Sequence, residues 1–175
     1  MINNQIKNIA IIGAGKIGQA IANGITKSGQ YLPSQITMTK KDSSMLTHLQ
    51  NAGYGVTMDN SQAIKSAQLI VVSVGPQDAE NLLNVIKADL DTKMHILVST
   101  MVGVTIEFIE NIIGKGFPII RIMPNTAIGI CESMESVKRI FDQLGLTFVV
   151  KEEFIGSATA LCGSGLDFFL RAVRA

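Results

Sequence analysis

The sequence predicts an α/β fold in which a doubly wound, mostly parallel sheet lies between two layers of helices. Short aliphatic runs such as Leu69-Ile70-Val71-Val72 alternate with segments of helical periodicity. Apolar residues make up 47% of the 175 residues and aromatic residues only 5%, a balance that suits strands buried on both faces. A glycine-rich segment at 13–18 joins the first aliphatic run to the first helical segment. Together these observations indicate repeated βα units.

The first part of the chain predicts three strands, each followed by a helix. The strands are predicted at 7–12, 35–39 and 54–57. Gly29 and Gly53 stand near the ends of the first two helices, where glycine commonly stops a helix. Asp59 is predicted to cap a brief third helix that runs through Ala67.

The run at 69–74 is the most strand-like segment and is predicted to be central in the sheet. Pro76 breaks this strand, and Asp78 is predicted to cap the helix that follows. Further strands are predicted at 95–99, 118–123 and 148–150. One intervening helix is capped by Thr105, and another begins after Met134.

The segment Gly13-Ala14-Gly15-Lys16-Ile17-Gly18 predicts a Rossmann-type dinucleotide site. The first glycine permits a tight turn, the second lets the backbone approach a pyrophosphate, and the third allows close packing of helix on strand. The amides and dipole of the following helix favour the anion. The alternative is a glycine turn without a ligand, but the strand before it and the amphipathic helix after it favour a cofactor.

The residues after the second strand favour NADP(H) over NAD(H). Domains that prefer NAD usually place an acid there, about 20 residues past the glycines, to hold the ribose diol. Here the tip reads Thr39, Lys40 and Lys41, and a hydroxyl with ammonium groups suits a 2′-phosphate. The alternative is that both lysines are solvated loop residues.

Polar segments also end three further predicted strands. They are Val74-Gly75-Pro76-Gln77, Ser99-Thr100-Met101 and Met123-Pro124-Asn125-Thr126. Because open α/β sheets bind ligands at the carboxyl ends of their strands, we expect these segments to form a crevice for the nicotinamide ring. Asn125 after Pro124 could equally be a turn former.

Composition and isolated residues exclude other classes of function. A net charge of +1 gives no reason to expect nucleic acid or a membrane surface as partner, and no apolar run is long enough to span a bilayer. The cysteines, Cys131 and Cys162, have no metal-like or redox-like spacing and are predicted to be semi-buried thiols. His48 and His95 stand alone and are predicted at the surface. We therefore expect a cytoplasmic protein without a metal site, and no catalytic residue is identified.

Four segments make the chain resemble the pyrroline-5-carboxylate reductases, the last enzymes of proline biosynthesis. They are the segments 11–18, 74–77, Arg121-Ile122-Met123-Pro124-Asn125-Thr126 and Ala158-Thr159-Ala160-Leu161-Cys162-Gly163-Ser164-Gly165. The last two segments are much more specific than the glycine loop. The resemblance extends over essentially the whole chain.

The resemblance implies NADPH-dependent hydride transfer to the C=N carbon of 1-pyrroline-5-carboxylate, which gives L-proline. It implies a cofactor site made of Gly13, Gly15, Lys16, Ile17, Gly18, Thr39, Lys40, Lys41, Val74, Gly75, Pro76, Gln77, Met123, Pro124 and Asn125. On the substrate side it implies Asn125, Thr126, Gly163, Ser164 and Gly165. It divides the chain into an NADP-binding domain at 1–151 and the beginning of a helical domain at 152–175. Such helical domains join subunits, so a homodimer or higher homo-oligomer is expected where that domain is present.

The chain departs from the family pattern in several places. Gly75 stands where family members usually carry a lysine, and Glu135 follows Met134 where a strand and a helix start are expected. Leu166 and Asp167 replace a proline and a small residue. The family's substrate-carboxylate loop has no counterpart here. We expect a reductase whose sequence is incomplete and inactive alone. The alternatives are a non-catalytic dinucleotide-binding fragment and a reductase of another imine.

Overall fold

The computed structural model describes residues 6–41, 46–123, 126–128, 134–142 and 150–159. The strands are β1 (Ile9–Ile12), β2 (Ile36–Thr39), β3 (Gly55–Thr57), β4 (Leu69–Val72), β5 (Ile96–Ser99), β6 (Ile119–Met123) and β7 (Thr126–Ile128). The helices are α1 (Lys16–Lys27), α2 (Leu46–Asn51), α3 (Asn60–Lys65), α4 (Ala79–Ile86), α5 (Ile106–Ile113), α6 (Met134–Phe141) and α7 (Ile155–Thr159). Short 3-10 turns lie at Pro33–Gln35, Pro76–Asp78, Lys87–Asp89 and Glu152–Phe154.

The strands form a sheet in the order β3-β2-β1-β4-β5-β6-β7. Strands β1 to β6 pair in parallel, and β7 pairs antiparallel with β6. The chain moves outward from β1 to β3, returns to the middle at β4, and then moves outward in the other direction. The predicted fold class and the central place of β4 are confirmed. All six parallel strands end at one edge of the sheet, and the strand order reverses between β1 and β4.

The sheet separates two hydrophobic clusters because neighbouring strand residues point to opposite faces. Ile9 and Ile11 of β1 belong to the cluster that α1, α2 and α6 cover, whereas Ala10 and Ile12 belong to the cluster under α3, α4 and α5. Strand β4 alternates in the same way and is fully buried. Burial on both faces explains why these strands read as continuous aliphatic runs.

Two predicted helix caps are confirmed and a third is wrong. A side-chain oxygen of Asp59 accepts from the amide of Ser61 at 2.9 Å, and the Thr105 hydroxyl accepts from the amide of Phe108 at 3.1 Å. Asp78 occupies the cap position of α4, but its side chain makes no capping bond. Its backbone is helical, at φ −93° and ψ −8°, rather than extended as a capping side chain usually requires.

The prediction that His95 lies at the surface is wrong, because the residue is only 1% exposed where it precedes β5. Its Nδ1 accepts a hydrogen bond of 2.9 Å from the amide of Asp91, whose carbonyl in turn accepts from the amide of His95. The backbone thus satisfies Nδ1, while Nε2 is buried without a hydrogen-bond partner among the described residues. His48 is exposed, as predicted.

Some predicted features lie outside the described residues. They are both cysteines, residues 148 and 149 of the last predicted strand, and the segment 160–175. Within the described residues, the structure adds β7, which the sequence did not predict. No helix in this part of the chain is both long and apolar enough to cross a bilayer.

Candidate functional site

The loop between β1 and α1 is fixed to the end of β2. The amides of Gly13 and Ala14 both donate to the carbonyl of Thr39, at 3.2 and 2.8 Å. Gly13 has a φ of +106°, which side-chain-bearing residues rarely adopt, and a Cβ there would also run into the carbonyl oxygen of Ser73. Glycine is therefore required where the loop passes between β2 and β4.

The other two glycines of the loop have different surroundings. A Cβ on Gly15 would meet no atom within 4 Å, so this position borders open space. A Cβ on Gly18 would run into the carbonyl oxygen of Gly13 and approach Ile11 Cγ2 at 3.1 Å. Gly15 leaves room for a ligand to approach the backbone, and Gly18 lets α1 pack closely on β1.

The N-terminus of α1 suits an anion. Gly15 is the capping residue and has no side chain to bond the first-turn amides, and that turn holds no acidic residue. The first amides of a helix have no carbonyl within the helix to bond, and the helix dipole adds partial positive charge there. Gln19 secures the loop by donating from Nε2 to the Ala14 carbonyl at 2.9 Å. The arrangement fits the pyrophosphate of a dinucleotide.

A cleft of about 400 Å³ opens beside this loop at the carboxyl edge of the sheet. It collects a large part of the predicted cofactor site: Gly13, Gly15, Thr39, Lys40, Lys41, Val74 and Gly75. The opposite wall is formed by the start of α3 and by α4, and it includes Met58, Asn60, Asp78, Asn81, Leu82 and Val85. The cleft lies where the strand order reverses, the usual ligand position in open α/β sheets.

Other predicted site residues lie beside the cleft or further along the sheet edge. Lys16, Ile17 and Gly18 form the first turn of α1, and Pro76 and Gln77 form the turn that precedes α4. Met123 ends β6, two strands away from β4, and Thr126 begins β7. Pro124, Asn125, Gly163, Ser164 and Gly165 lie outside the described residues.

The segment that follows β5 ties strands together and does not line this cleft. The Thr100 hydroxyl donates to the carbonyl of Val72 at 3.3 Å, and the Ser99 hydroxyl accepts from the amide of Met101. Both side chains are buried. The Thr100 hydroxyl therefore joins this segment to β4, and the Ser99 hydroxyl stabilises the turn at the end of β5.

Gly75, where the resembled family has a lysine, can accommodate a side chain. Its φ of −64° is an ordinary value. The three atoms nearest to a Cβ there all belong to the terminal amide of Gln77, an exposed and flexible group. The absence of a lysine here is therefore not required by the backbone.

Sequence analysis missed Asp78 as a member of the site. Its Oδ1 lies 3.3 Å from Nζ of Lys41, so the pair bridges the two walls of the cleft. Its Oδ2 accepts from Nε2 of Gln77 at 3.4 Å. The only signal in the sequence was that Asp78 closely follows the end of a central strand.

Arg121, which the sequence placed in a motif without a role, pairs with Glu152. Arg121 Nη1 donates to Oε1 of Glu152 at 2.8 Å, and the same oxygen accepts from the amide of Ile106 at 2.8 Å. The Arg121 side chain is 8% exposed. This contact joins β6, the start of α5 and the turn that leads into α7. Among the described residues, no three histidine, cysteine or acidic side chains gather as a metal site would require.

Comparison with known proteins shows that the chain is similar to an oxidoreductase family and to pyrroline-5-carboxylate reductases. Residues 8–103, more than half of the chain, match the family described as "NADP oxidoreductase coenzyme F420-dependent". The chain is 38% identical to pyrroline-5-carboxylate reductase 1 of Dictyostelium discoideum over 192 aligned positions, which cover 95% of the chain and 35% of the relative. The chain covers 35%, 66% and 64% of the lengths of three curated pyrroline-5-carboxylate reductases that it matches. It therefore spans only part of each.

Solved structures agree with this placement. A pyrroline-5-carboxylate reductase from Coxiella burnetii superposes with a TM-score of 0.88 at 27% identity, over 97% of this chain and 68% of that one. The pyrroline carboxylate reductase of Plasmodium falciparum, solved with NADP bound, has a TM-score of 0.80 at 22% identity. That match covers 95% of this chain and 66% of the other, and it shows the shared fold.

Proposed function

We propose that this chain, a member of the family described as "NADP oxidoreductase coenzyme F420-dependent", binds NADPH for the reduction of 1-pyrroline-5-carboxylate to L-proline. The premise of this proposal is that the chain belongs, with its named relatives, to the pyrroline-5-carboxylate reductases. One observation carries the proposal. The glycine loop lies where the strand order reverses and opens into a cleft that Lys40 and Lys41 also line.

In this proposal the glycine loop holds the pyrophosphate of the cofactor. The first-turn amides of α1 bind the pyrophosphate, and Gly15 keeps the approach open. NADPH bound there would supply a hydride to the C=N carbon of the cyclic imine, whose nitrogen takes its proton from solvent. The chain's own contribution is to position and orient the donor.

NADPH is proposed over NADH because of the residues after β2. Lys40 and Lys41 line the cleft next to Thr39, whose carbonyl fixes the glycine loop. Ammonium groups at this place suit a 2′-phosphate, and the reductase of Plasmodium falciparum was solved with NADP bound. Val74, Pro76, Gln77, Met123, Pro124 and Asn125 are proposed to contact the nicotinamide half.

The remaining proposals rest on the family resemblance. Asn125, Thr126 and the Gly163-Ser164-Gly165 segment would lie on the substrate side. The helical domain that begins at residue 152 would join two or more subunits. The compartment proposed is the cytoplasm.

The first test is a binding titration of NADPH and NADH on the chain and on the double variant Lys40→Asp/Lys41→Ala. We expect the variant to lose about tenfold or more in affinity for NADPH, because charge-assisted contacts to a phosphate are each worth about 1.5–3 kcal/mol. The affinity for NADH should change by less than about threefold. Lys93→Asp/Lys115→Ala is the matched control, since both lysines are exposed and lie outside the cleft lining. Equal losses for both cofactors would show that these lysines do not bind the 2′-phosphate.

Turnover tests the substrate. NADPH consumption on addition of pyrroline-5-carboxylate, with proline as product, supports the reductase assignment. Tight NADPH binding without turnover, in a chain that also carries the remaining length of its relatives, would favour the non-catalytic dinucleotide-binding alternative. Faster turnover of another cyclic imine would favour the related reductase.

A further inference from the structure

We propose that Asp78 sets cofactor choice at this site, by competing with a ribose 2′-phosphate for Lys41 and by accepting hydrogen bonds from an unphosphorylated ribose diol. The inference rests on the proposed function and predicts that the chain accepts both NADPH and NADH. The acidic group that is missing from the tip of β2 is supplied by the turn after β4.

The geometry brings the Asp78 carboxylate into contact with the side chain of Lys41, close to the tip of β2. Lys40 and Lys41 follow β2, and Asp78 ends the 3-10 turn before α4, 37 residues further along the chain. All three line one cleft, and 3.3 Å separates Lys41 Nζ from Asp78 Oδ1. A ribose that lies within reach of Lys41 therefore also lies within reach of a carboxylate.

The two forms of the ribose respond to this carboxylate in opposite ways. A dianionic 2′-phosphate bound to Lys41 would face the negative charge of Asp78 and would have to displace it from the lysine. A ribose diol instead donates hydrogen bonds, which a carboxylate accepts well, as in domains that prefer NAD. The Gln77 amide, bonded to Oδ2 of Asp78, helps to orient the carboxylate toward Lys41.

Solvent limits the size of the effect. The side chain of Lys41 is 93% exposed and that of Asp78 is 45% exposed, and exposed ion pairs contribute little. We therefore expect several-fold changes in affinity rather than a complete switch. These changes in affinity should become smaller as salt is added at constant pH, because exposed charges are screened.

The experiment measures dissociation constants for NADPH and NADH, and for the fragments adenosine 2′,5′-bisphosphate and AMP, which probe the adenosine end alone. Asp78→Asn keeps the shape of the side chain and removes its charge. It should tighten binding of NADPH and the bisphosphate by about threefold to fivefold and weaken that of NADH and AMP by about twofold to threefold. Glu80→Gln is the matched control, because Glu80 lies two residues further along, in the first turn of α4, and is exposed and outside the cleft lining.

A second variant separates competition for Lys41 from a general charge effect. In a Lys41→Met background, Asp78→Asn should no longer tighten the bisphosphate, because there is no ammonium group left to release. The ratio of the dissociation constants for NADPH and NADH decides the inference. If Asp78→Asn changes this ratio no more than Glu80→Gln does, the inference is overturned and the proposed function stays intact. Failure of the unchanged chain to bind any of the four probes would contradict both.

Discussion

The three glycines of the loop between β1 and α1 differ in what a side chain would meet. At Gly13 a Cβ meets backbone and demands a rare φ, at Gly18 it meets the Gly13 carbonyl, and at Gly15 it meets nothing. The same spacing of glycines thus combines two structural requirements with one position that is open to a ligand. Mutation can separate these contributions.

We expect Gly15→Ala to fold normally but to lose most of its affinity for NADPH, because the methyl group would occupy the space beside the α1 amides. Gly13→Ala should instead lower the free energy of unfolding by about 1–3 kcal/mol, the usual cost of holding a side-chain-bearing residue at a strained φ. Denaturant titration and NADPH binding measure the two effects. Gly156→Ala, at another open and exposed position in α7, is the control. Equal destabilisation by Gly13→Ala and Gly15→Ala would contradict this separation.

The structure brings to one cleft several residues whose sequence signal is local, and their contacts with a cofactor stay predictions. The glycine loop follows predicted strand β1 directly, and the two lysines follow predicted strand β2 directly, so their positions relative to the sheet could be predicted. The contact of Lys41 with Asp78 could not be predicted, since it depends on how two walls of a cleft come together. His95 was placed wrongly for a related reason, because burial of a lone histidine depends on the backbone that folds over it.

At the scale of elements, Glu152 joins three of them through one oxygen. It accepts from the guanidinium of Arg121 in β6 and from the first amide of α5, and it lies in the turn before α7. Helix α7 in turn packs on β7. The Glu152 carboxylate therefore connects β6 and the start of α5 to the turn that precedes α7.

We expect Glu152→Ala to lower the free energy of unfolding by about 1–3 kcal/mol, because it leaves a guanidinium that is 8% exposed without its carboxylate. Thermal and denaturant unfolding measure the loss. Glu153→Ala is the control, since Glu153 pairs with Lys151 at 3.7 Å where both are well exposed, and about 0.5 kcal/mol or less is expected. Similar losses for the two variants would show that the Arg121 contact adds no stability.

Elements with strong periodicity were predicted with nearly correct bounds, and their caps at Asp59 and Thr105 were confirmed. The side-chain cap at Asp78 failed because Pro76–Asp78 forms a 3-10 turn. The sequence did not predict strand β7, for another reason. It has three residues and owes its existence to pairing with β6, so its own sequence contains little signal.

At the scale of the whole molecule, stability should depend on pH through His95. Burial is the main cause that lowers the pKa of His95 below its usual value, while the Asp91 carboxylate and the Ile64 carbonyl act in the opposite direction. The unfolded chain then binds a proton more readily than the folded chain. This contribution to stability is present above about pH 6.5 and is lost as the pH falls further.

We expect the free energy of unfolding to fall below pH 6.5 by up to about 1.4 kcal/mol per pH unit from this group. His95→Asn retains an acceptor for the Asp91 amide without titrating, and it should flatten this part of the profile. Denaturant titrations at several pH values measure the slope. His48→Asn, a change at an exposed histidine, is the control. An unchanged slope in His95→Asn would assign the pH dependence to other groups.

The architecture as a whole followed from the sequence because parallel sheets impose strict patterns. Strands buried on both faces must be aliphatic throughout, and the helices between them must be amphipathic. The place of the cleft followed from the same rule, since parallel strands end at one edge. No such rule predicts the opposite wall of the cleft, and the structure was needed to show that Met58, Asn60 and Val85 lie there.

The two hydrophobic clusters also imply an order of events while the chain is synthesised from its N-terminus. Among the described residues, the cluster under α3, α4 and α5 contains none later than Ile119. The opposite cluster needs Val137, Ile140 and Phe141 of α6, which follow all six parallel strands. A nascent chain that has just passed Met123 therefore holds every described member of the first cluster, while Ile120 and Ile122 on the other face still lack their cover from α6. Until α6 has been synthesised, the face with Ile120 and Ile122 presents an apolar strip to chaperones.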